Sequence, residues 1–123
     1  MIVTGNVQGI IKRIPIQKLK KGDVVIDLYH CPRKVESVTE TTITASLQFN
    51  RNPNLSITEG TKVFTLYGER EARNGDSITV QMLNGTDYGE TLKEKTCKKG
   101  YEVKVKGASY IYVNGYPIGV EKC

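Results

Sequence analysis

The stretch "TTITASLQF", residues 41–49, carries an apolar side chain at every second position. These apolar residues are Ile43, Ala45, Leu47 and Phe49, and they alternate with threonine, serine and glutamine. Because successive side chains of a β-strand point to opposite faces of the sheet, this period of two predicts a strand with one buried face. An amphipathic helix would repeat its apolar positions about every 3.6 residues instead.

The same alternation recurs along the rest of the chain. It predicts strands in "DVVIDLY", "DSITVQML" and "YEVKV", with weaker signals at residues 2–13, 33–39, 62–67, 109–113 and 116–121. The dipeptide Asn-Gly, which tolerates the positive φ angles of a tight hairpin turn, occurs three times. In "SYIYVNGYPIGVE" it predicts a C-terminal hairpin over residues 109–121, with Pro117 indicating an edge strand. The pattern predicts an all-β fold: a small antiparallel barrel or sandwich of about eight to nine short strands.

Helix signals are few. The segments "IQKLKK" and "GETLKEKTCKKG" (residues 89–100) predict at most one or two short helical turns. The segment "NRNPNLSITEG", residues 50–60, predicts an exposed loop because it is rich in asparagine, proline, serine and glycine. The predicted core consists of Val24, Ile26, Leu28, Ile43, Ala45, Leu47, Phe49, Phe64, Ile78, Val80, Val103, Val105 and Ile111.

A chain of 123 residues predicts a single β-domain over residues 1–123, with a basic N-terminal segment at 12–21. Five basic residues precede the first acidic one, Asp23: Lys12, Arg13, Lys18, Lys20 and Lys21. The remaining 13 basic residues balance the 13 acidic ones, so this segment holds the whole net charge of +5. Such a concentration of positive charge predicts contact with a polyanion.

Other features bear on the compartment. No apolar run approaches the roughly 20 residues that span a bilayer, and residues 1–13 lack the charge-then-apolar order of a signal peptide, so we expect no membrane partner. The three cysteines, Cys31, Cys97 and Cys123, are spaced unlike a disulfide framework. These observations predict a reducing compartment, with the protein cytoplasmic or assembled intracellularly.

Candidate chemistry is sparse. His30 is the only histidine and adjoins Cys31, but consecutive strand residues point to opposite faces and therefore do not form a nucleophile–base pair. The cysteines lack the Cys-x-x-Cys spacing of a zinc site, and no glycine-rich stretch leads into a phosphate-binding helix. The sequence predicts no catalytic residues, no metal and no cofactor, and hence no enzyme.

Two binding functions remain. The favoured one is a non-enzymatic structural or binding subunit of an oligomeric assembly, such as a phage-type virion accessory protein, whose interface contains Tyr110, Tyr112 and Tyr116. Its partner would be another protein or a second copy of the chain. The alternative is a nucleic-acid-binding barrel, OB-like or SH3-like, that uses the basic segment. A small-molecule ligand also stays open, because a site between subunits would leave no sequence motif.

The segment "IPIQKLKKGDVVI" resembles part of Hint domains, the protein-splicing fold of inteins and hedgehog, in which an I-x-x-L-x-x-G-D-x-V turn leads into a strand. The resemblance covers about a dozen residues, and SH3-like barrels use the same turn. It implies the start of a β-barrel. The chain departs from the family's active pattern: it has no N-terminal cysteine or serine, no Thr-x-x-His block and no terminal His-Asn pair, so the resemblance transfers no splicing residue.

Overall fold

The computed structural model describes residues 1–123 and confirms the all-β class: thirteen strands and one 3₁₀ turn at Ile16–Lys18. The first six strands are β1 (Ile2–Thr4), β2 (Asn6–Gln8), β3 (Arg13–Pro15), β4 (Val24–Ile26), β5 (Pro32–Phe49) and β6 (Asn52–Ile57). The others are β7 (Lys62–Thr65), β8 (Gly68–Glu71), β9 (Ser77–Met82), β10 (Gly85–Val105), β11 (Tyr110–Val113), β12 (Tyr116–Gly119) and β13 (Glu121–Lys122). The chain contains no helix that is long and apolar enough to cross a membrane.

The strands form two sheets. One has the order β13-β10-β1-β6-β5-β4, with β9 also paired to β10; the other has the order β3-β2-β11-β12-β7-β8. All pairings are antiparallel except that of β13 with β10. The apolar core draws side chains from both sheets, among them Leu47 of β5 and Val113 of β11.

Strands β5 and β10, of 18 and 21 residues, pair along most of their length. Their register runs from Phe49 opposite Thr91 to Val35 opposite Val105. The predicted helical turn at residues 89–100 is therefore wrong, because the whole segment lies within β10. Pairing with a long neighbouring strand outweighs the weak helix propensity of these residues.

The predicted loop at residues 50–60 is also wrong in its centre, where β6 lies between β1 and β5. Leu55, Ser56 and Ile57 are fully buried. The turn-forming residues that suggested a loop occupy the exposed start of the strand, at positions 52–54. With a neighbour on each side, β6 is an interior strand of its sheet, and its apolar end contributes to the core.

The core prediction is confirmed for Ile43, Leu47, Phe49, Ile78, Val80, Val103, Val105 and Ile111, all of which are buried. It is wrong for β4, where Val25 points inward and Val24 and Ile26 are only partly buried. The next inward position after Val25 belongs to Asp27, a buried carboxylate. Phe64 is 42% exposed, since Val63 and Thr65 of β7 are the buried residues there.

The segment that resembles Hint domains, residues 14–26, runs from the end of β3 through the 3₁₀ turn and ends with β4. Ile16, Leu19 and Val25 are buried, and Gly22 adopts a φ angle of 91° that favours glycine. The N–H of Gly22 donates to the carbonyl oxygen of Val35 at 2.9 Å. The apolar positions of the motif therefore anchor the turn in the core.

Strands β11 and β12 are joined at Asn114-Gly115, whose φ angles are 48° and 83°. Positive φ at both positions is the geometry of a tight hairpin turn. Because β12 also pairs with β7, through Ile118 and Val63, the edge position expected from Pro117 is wrong. Tyr112 lies opposite Pro117 in the hairpin.

Candidate functional site at the first residue

The main chain of Met1 lies against the turn that connects β6 to β7. The amino nitrogen of Met1 donates hydrogen bonds to the hydroxyl oxygens of Thr58 and Thr61, each at 2.8 Å. The backbone N–H of Thr58 donates to the carbonyl oxygen of Met1 at 2.9 Å. The two threonine hydroxyls also donate to this carbonyl, at 3.4 and 3.3 Å. Two hydroxyl groups thus contact both polar main-chain groups of residue 1.

The turn itself is held by its backbone. The N–H of Thr61 donates to the carbonyl oxygen of Thr58 at 3.1 Å, and Gly60 has a φ angle of 90° that favours glycine. The N–H of Gly60 donates to the carbonyl oxygen of Ala72 at 2.8 Å. These bonds hold the hydroxyl oxygens of Thr58 and Thr61 3.1 Å apart.

The two hydroxyls open onto a cleft of about 360 Å³ at the meeting point of β1, β10, β12 and the β6–β7 turn. Its lining residues are Met1, Thr58, Glu59, Gly60, Thr61, Lys62, Glu102 and Gly119. A Cβ atom at Gly119 would lie 2.8 Å from the Cβ of Lys62. The absence of a side chain at 119 therefore lets β12 approach β7 closely beside the cleft.

Burial lowers the pKa of the Met1 α-amino group below its ordinary value of 8.0, and the nearby Glu102 carboxylate partly opposes this shift. More of the amine is therefore neutral near pH 7 than in an exposed N-terminus. A neutral amine beside a hydroxyl can act as its general base, and a threonine paired with an α-amino group is a known form of activated nucleophile. The thioether of Met1 cannot accept an acyl group.

The predicted polyanion-contact residues converge only in part. Lys12, Arg13, Lys18 and Lys20 line one cavity of about 300 Å³, whereas Lys21 is exposed and lies outside it. The cavity also contains Asp23, whose carboxylate lies 3.5 Å from the Lys20 ammonium. Contact with a polyanion stays a prediction.

The three tyrosines predicted to form an interface are buried: Tyr110, Tyr112 and Tyr116 are 8%, 4% and 0% exposed. The Tyr116 hydroxyl donates to Asp87 at 3.0 Å, and the Tyr110 ring packs edge-on against Phe64. Burial raises the pKa of all three hydroxyls, and neighbouring carboxylates act in the same direction. Their role in an interface stays a prediction, and little of each side chain is left for a partner to contact.

His30 and Cys31 lie in the turn after β4, and no hydrogen bond joins them. The carboxylate of Asp27 accepts the backbone N–H groups of Tyr29 and Cys31, both at 2.9 Å, and Nε of Arg33 at 2.8 Å. His30 adopts a φ angle of 60°, and its ring lies edge-on to Tyr112. Asp27 therefore shapes this turn.

Replacing Asp27 by asparagine is expected to lower the free energy of unfolding at pH 7 by about 1 to 3 kcal/mol, because charge-assisted hydrogen bonds are lost. Burial raises the pKa of Asp27, but the bonds from Arg33 and the backbone lower it further, for a net decrease. A lowered pKa contributes stability that is fully present above the unfolded value of about 3.9 and disappears as pH falls through the folded value. As pH falls from 7 to below ~4, the parent loses this contribution and the variant has none to lose. The free energy of unfolding should therefore decrease less in the variant than in the parent.

Urea unfolding at pH 7 and in this acidic range measures both effects. Glu36→Gln is the matched control, since Glu36 is exposed and forms no ion pair. Equal destabilisation by the two variants at pH 7 would contradict the role of Asp27.

Sequence reasoning missed the residues of the cleft. Thr58 and Thr61 were interpreted as part of a loop or its border, and Glu102 as the polar face of a strand. Their contact with residue 1 spans 57 and 60 positions, so only the order of strands in the sheet brings them together. The available signal was the turn-forming "TEGT", residues 58–61, between two apolar segments.

The fold is similar to that of inteins along nearly its whole length. The gp41-1 intein structure matches with a TM-score of 0.72 and 15% sequence identity, covering 97% of this chain and 98% of that chain. A DnaB intein from Synechocystis sp. PCC 6803 matches with a TM-score of 0.69 and 14% identity, over 98% of both chains. The MchDnaB-1 intein matches with a TM-score of 0.71 and 12% identity, over 97% and 99%.

No model of a known protein family matches the sequence, and no curated protein sequence is similar to it. The likeness to inteins overturns two predictions of function: the virion-type structural or binding subunit and the nucleic-acid-binding barrel. The expectation of a non-enzymatic protein is wrong on the same ground. The fold places main-chain groups and hydroxyls together from residues 57 and 60 positions apart, so no local motif marks them.

Proposed function

We propose that this chain is an autoprocessing domain of the intein type that transfers the acyl group of a peptide bond joined to Met1. The observation that carries the proposal is the placement of two threonine hydroxyls at 2.8 Å from the nitrogen of residue 1. The likeness to inteins supports it, because in that family the polypeptide attached to the domain is the substrate.

The distances suit attack on the preceding carbonyl. A carbonyl carbon joined to the Met1 nitrogen would lie about 1.33 Å from it, beside the hydroxyls. Attack by one threonine Oγ1 forms an ester and breaks the C–N bond, and the hydroxyl proton passes to the nitrogen, which leaves as the α-amine of Met1. The second hydroxyl donates to the developing oxyanion.

The released amine then has a chemical role. Its lowered pKa leaves it partly neutral near pH 7, so it can take a proton from water as that water attacks the ester. Hydrolysis returns the threonine hydroxyl and releases the upstream polypeptide with a free carboxylate. Because the side chain of Met1 carries no nucleophile that could accept the acyl group, we propose cleavage at this junction rather than ligation of two flanking segments.

A fusion protein with a reporter domain joined directly to Met1 tests this proposal. We expect slow release of the reporter at neutral pH, followed by gel electrophoresis and mass spectrometry. Hydroxylamine should accelerate release and leave a hydroxamate on the reporter's last residue, because it attacks esters faster than water does. A fusion that stays intact in hydroxylamine, while its domain unfolds cooperatively, would contradict the proposal.

A further inference from the structure

Two isoleucines project from the turn between β2 and β3. The N–H of Gly9 donates to the carbonyl oxygen of Lys12 at 2.9 Å, which pairs these two residues and leaves Ile10 and Ile11 as the tip between them. Their exposed fractions are 62% and 95%. Large adjoining apolar side chains at a convex tip have no role in the core, and exposed apolar patches mark interaction sites.

Positive charge adjoins this tip. Lys12 and Arg13 directly follow the isoleucines, and these two residues line a cavity of about 300 Å³ together with Lys18 and Lys20. Asp23 is the only carboxylate that lines it, so four cations and one anion leave a local charge of +3. Lys12 and Lys18 form no ion pair, and Arg13 donates only a 3.4 Å hydrogen bond to Gln8. These cations are therefore available to an external anion.

We propose that the tip and its basic cavity dock on the surface of an anionic lipid bilayer. Ile10 and Ile11 would enter the boundary between headgroups and acyl chains, and Lys12, Arg13 and Lys18 would contact lipid phosphates. Apolar insertion combined with electrostatic attraction is the usual basis of peripheral binding to anionic lipids. Surface docking goes against the expectation of no membrane partner, which was based on the lack of a spanning segment and of a signal-peptide pattern.

Shape and charge distribution favour a bilayer over a protein partner. The apolar residues stand on a protruding turn rather than on a flat face, and a deformable lipid surface accommodates such a tip without a preformed pocket. Outside residues 1–22 the basic and acidic residues balance, so attraction to an anionic surface would orient the domain with this end toward it.

Sedimentation with phosphatidylcholine vesicles, with and without phosphatidylserine, tests the proposal. We expect binding only to the vesicles that contain phosphatidylserine, and weaker binding when NaCl rises from about 0.1 to 0.5 M, since added salt screens surface charges. Ile10→Ser/Ile11→Ser should reduce the partition coefficient by about tenfold or more. Lys12→Gln/Lys18→Gln should reduce it by a similar factor.

Matched controls distinguish binding at this site from nonspecific adsorption to vesicles. Leu92 is 61% exposed on β10, so Leu92→Ser removes a comparable apolar side chain elsewhere and should leave binding unchanged. Lys95→Gln/Lys98→Gln removes two other exposed charges and should have a smaller effect than the pair at the tip. Absence of binding to anionic vesicles, or equal losses in tip and control variants, would overturn the proposal. If polyglutamate binds in a tip-dependent way and vesicles do not bind, the partner of this surface would be an acidic protein rather than a bilayer.

Discussion

Replacing Phe49 by alanine is expected to lower the free energy of unfolding by about 3 to 5 kcal/mol, the usual cost of removing a buried phenylalanine ring. The Phe49 side chain is 1% exposed. Its ring packs edge-on against Tyr116, with ring centroids 5.1 Å apart. Since β5 pairs with both β6 and β10 near this position, the cavity would open where the two sheets meet the C-terminal hairpin.

Urea unfolding followed by circular dichroism measures this effect, with Phe64→Ala as the matched control. Phe64 undergoes the same chemical change, but it is 42% exposed and packs on the surface against Tyr110. Its loss should cost no more than about 2 kcal/mol, in the range of partly exposed sites. Equal losses of unfolding free energy in the two variants would mean that Phe49 contributes no more to the core than the partly exposed Phe64.

The alternation of apolar and polar residues predicted this core well where one face of a strand is wholly apolar. In β5 the period of two placed Leu47 and Phe49 correctly, and in β9 it placed Ile78 and Val80. It failed in β4 because the inward face there carries Val25 followed by Asp27. A carboxylate in the sequence suggests an exposed position unless its hydrogen-bond partners are known. The partner of Asp27 is Arg33, six residues away, and the local pattern does not reveal this contact.

Longer-range structure could not be derived from local pattern. The segment around Thr91 reads equally as a weak helix or a polar strand, and its pairing with Phe49 decides the outcome. The short motif that includes Gly22 and Asp23 resembles Hint domains, and it implied only the start of a β-barrel. For the cleft the sequence marked only the turn-forming residues 58–61, since Met1 and Thr58 meet only after β1 has paired with β6.

Removing both hydroxyls of the cleft, by Thr58→Val/Thr61→Val, is expected to slow hydroxylamine-dependent release of the upstream reporter by about a hundredfold or more. Valine keeps the shape of threonine but can neither accept an acyl group nor donate to the carbonyl oxygen of Met1. Because the same hydroxyls accept the hydrogen bonds of the Met1 nitrogen, the variant should also loosen the N-terminus, which then keeps only the backbone bond from Thr58 to the Met1 carbonyl.

Single variants identify the nucleophile. If Thr61, which is 8% exposed, carries the acyl group, Thr61→Val should abolish ester formation and Thr61→Ser should retain it, while Thr58→Val only slows it. Thr65→Val is the matched control, since the Thr65 hydroxyl is also buried but donates to Gly68 outside the cleft. Unchanged release in the double variant, with cooperative unfolding preserved, would exclude these hydroxyls as acyl acceptors. Release that is equally slow in Thr65→Val would trace the defect to folding, because that substitution leaves both cleft hydroxyls in place.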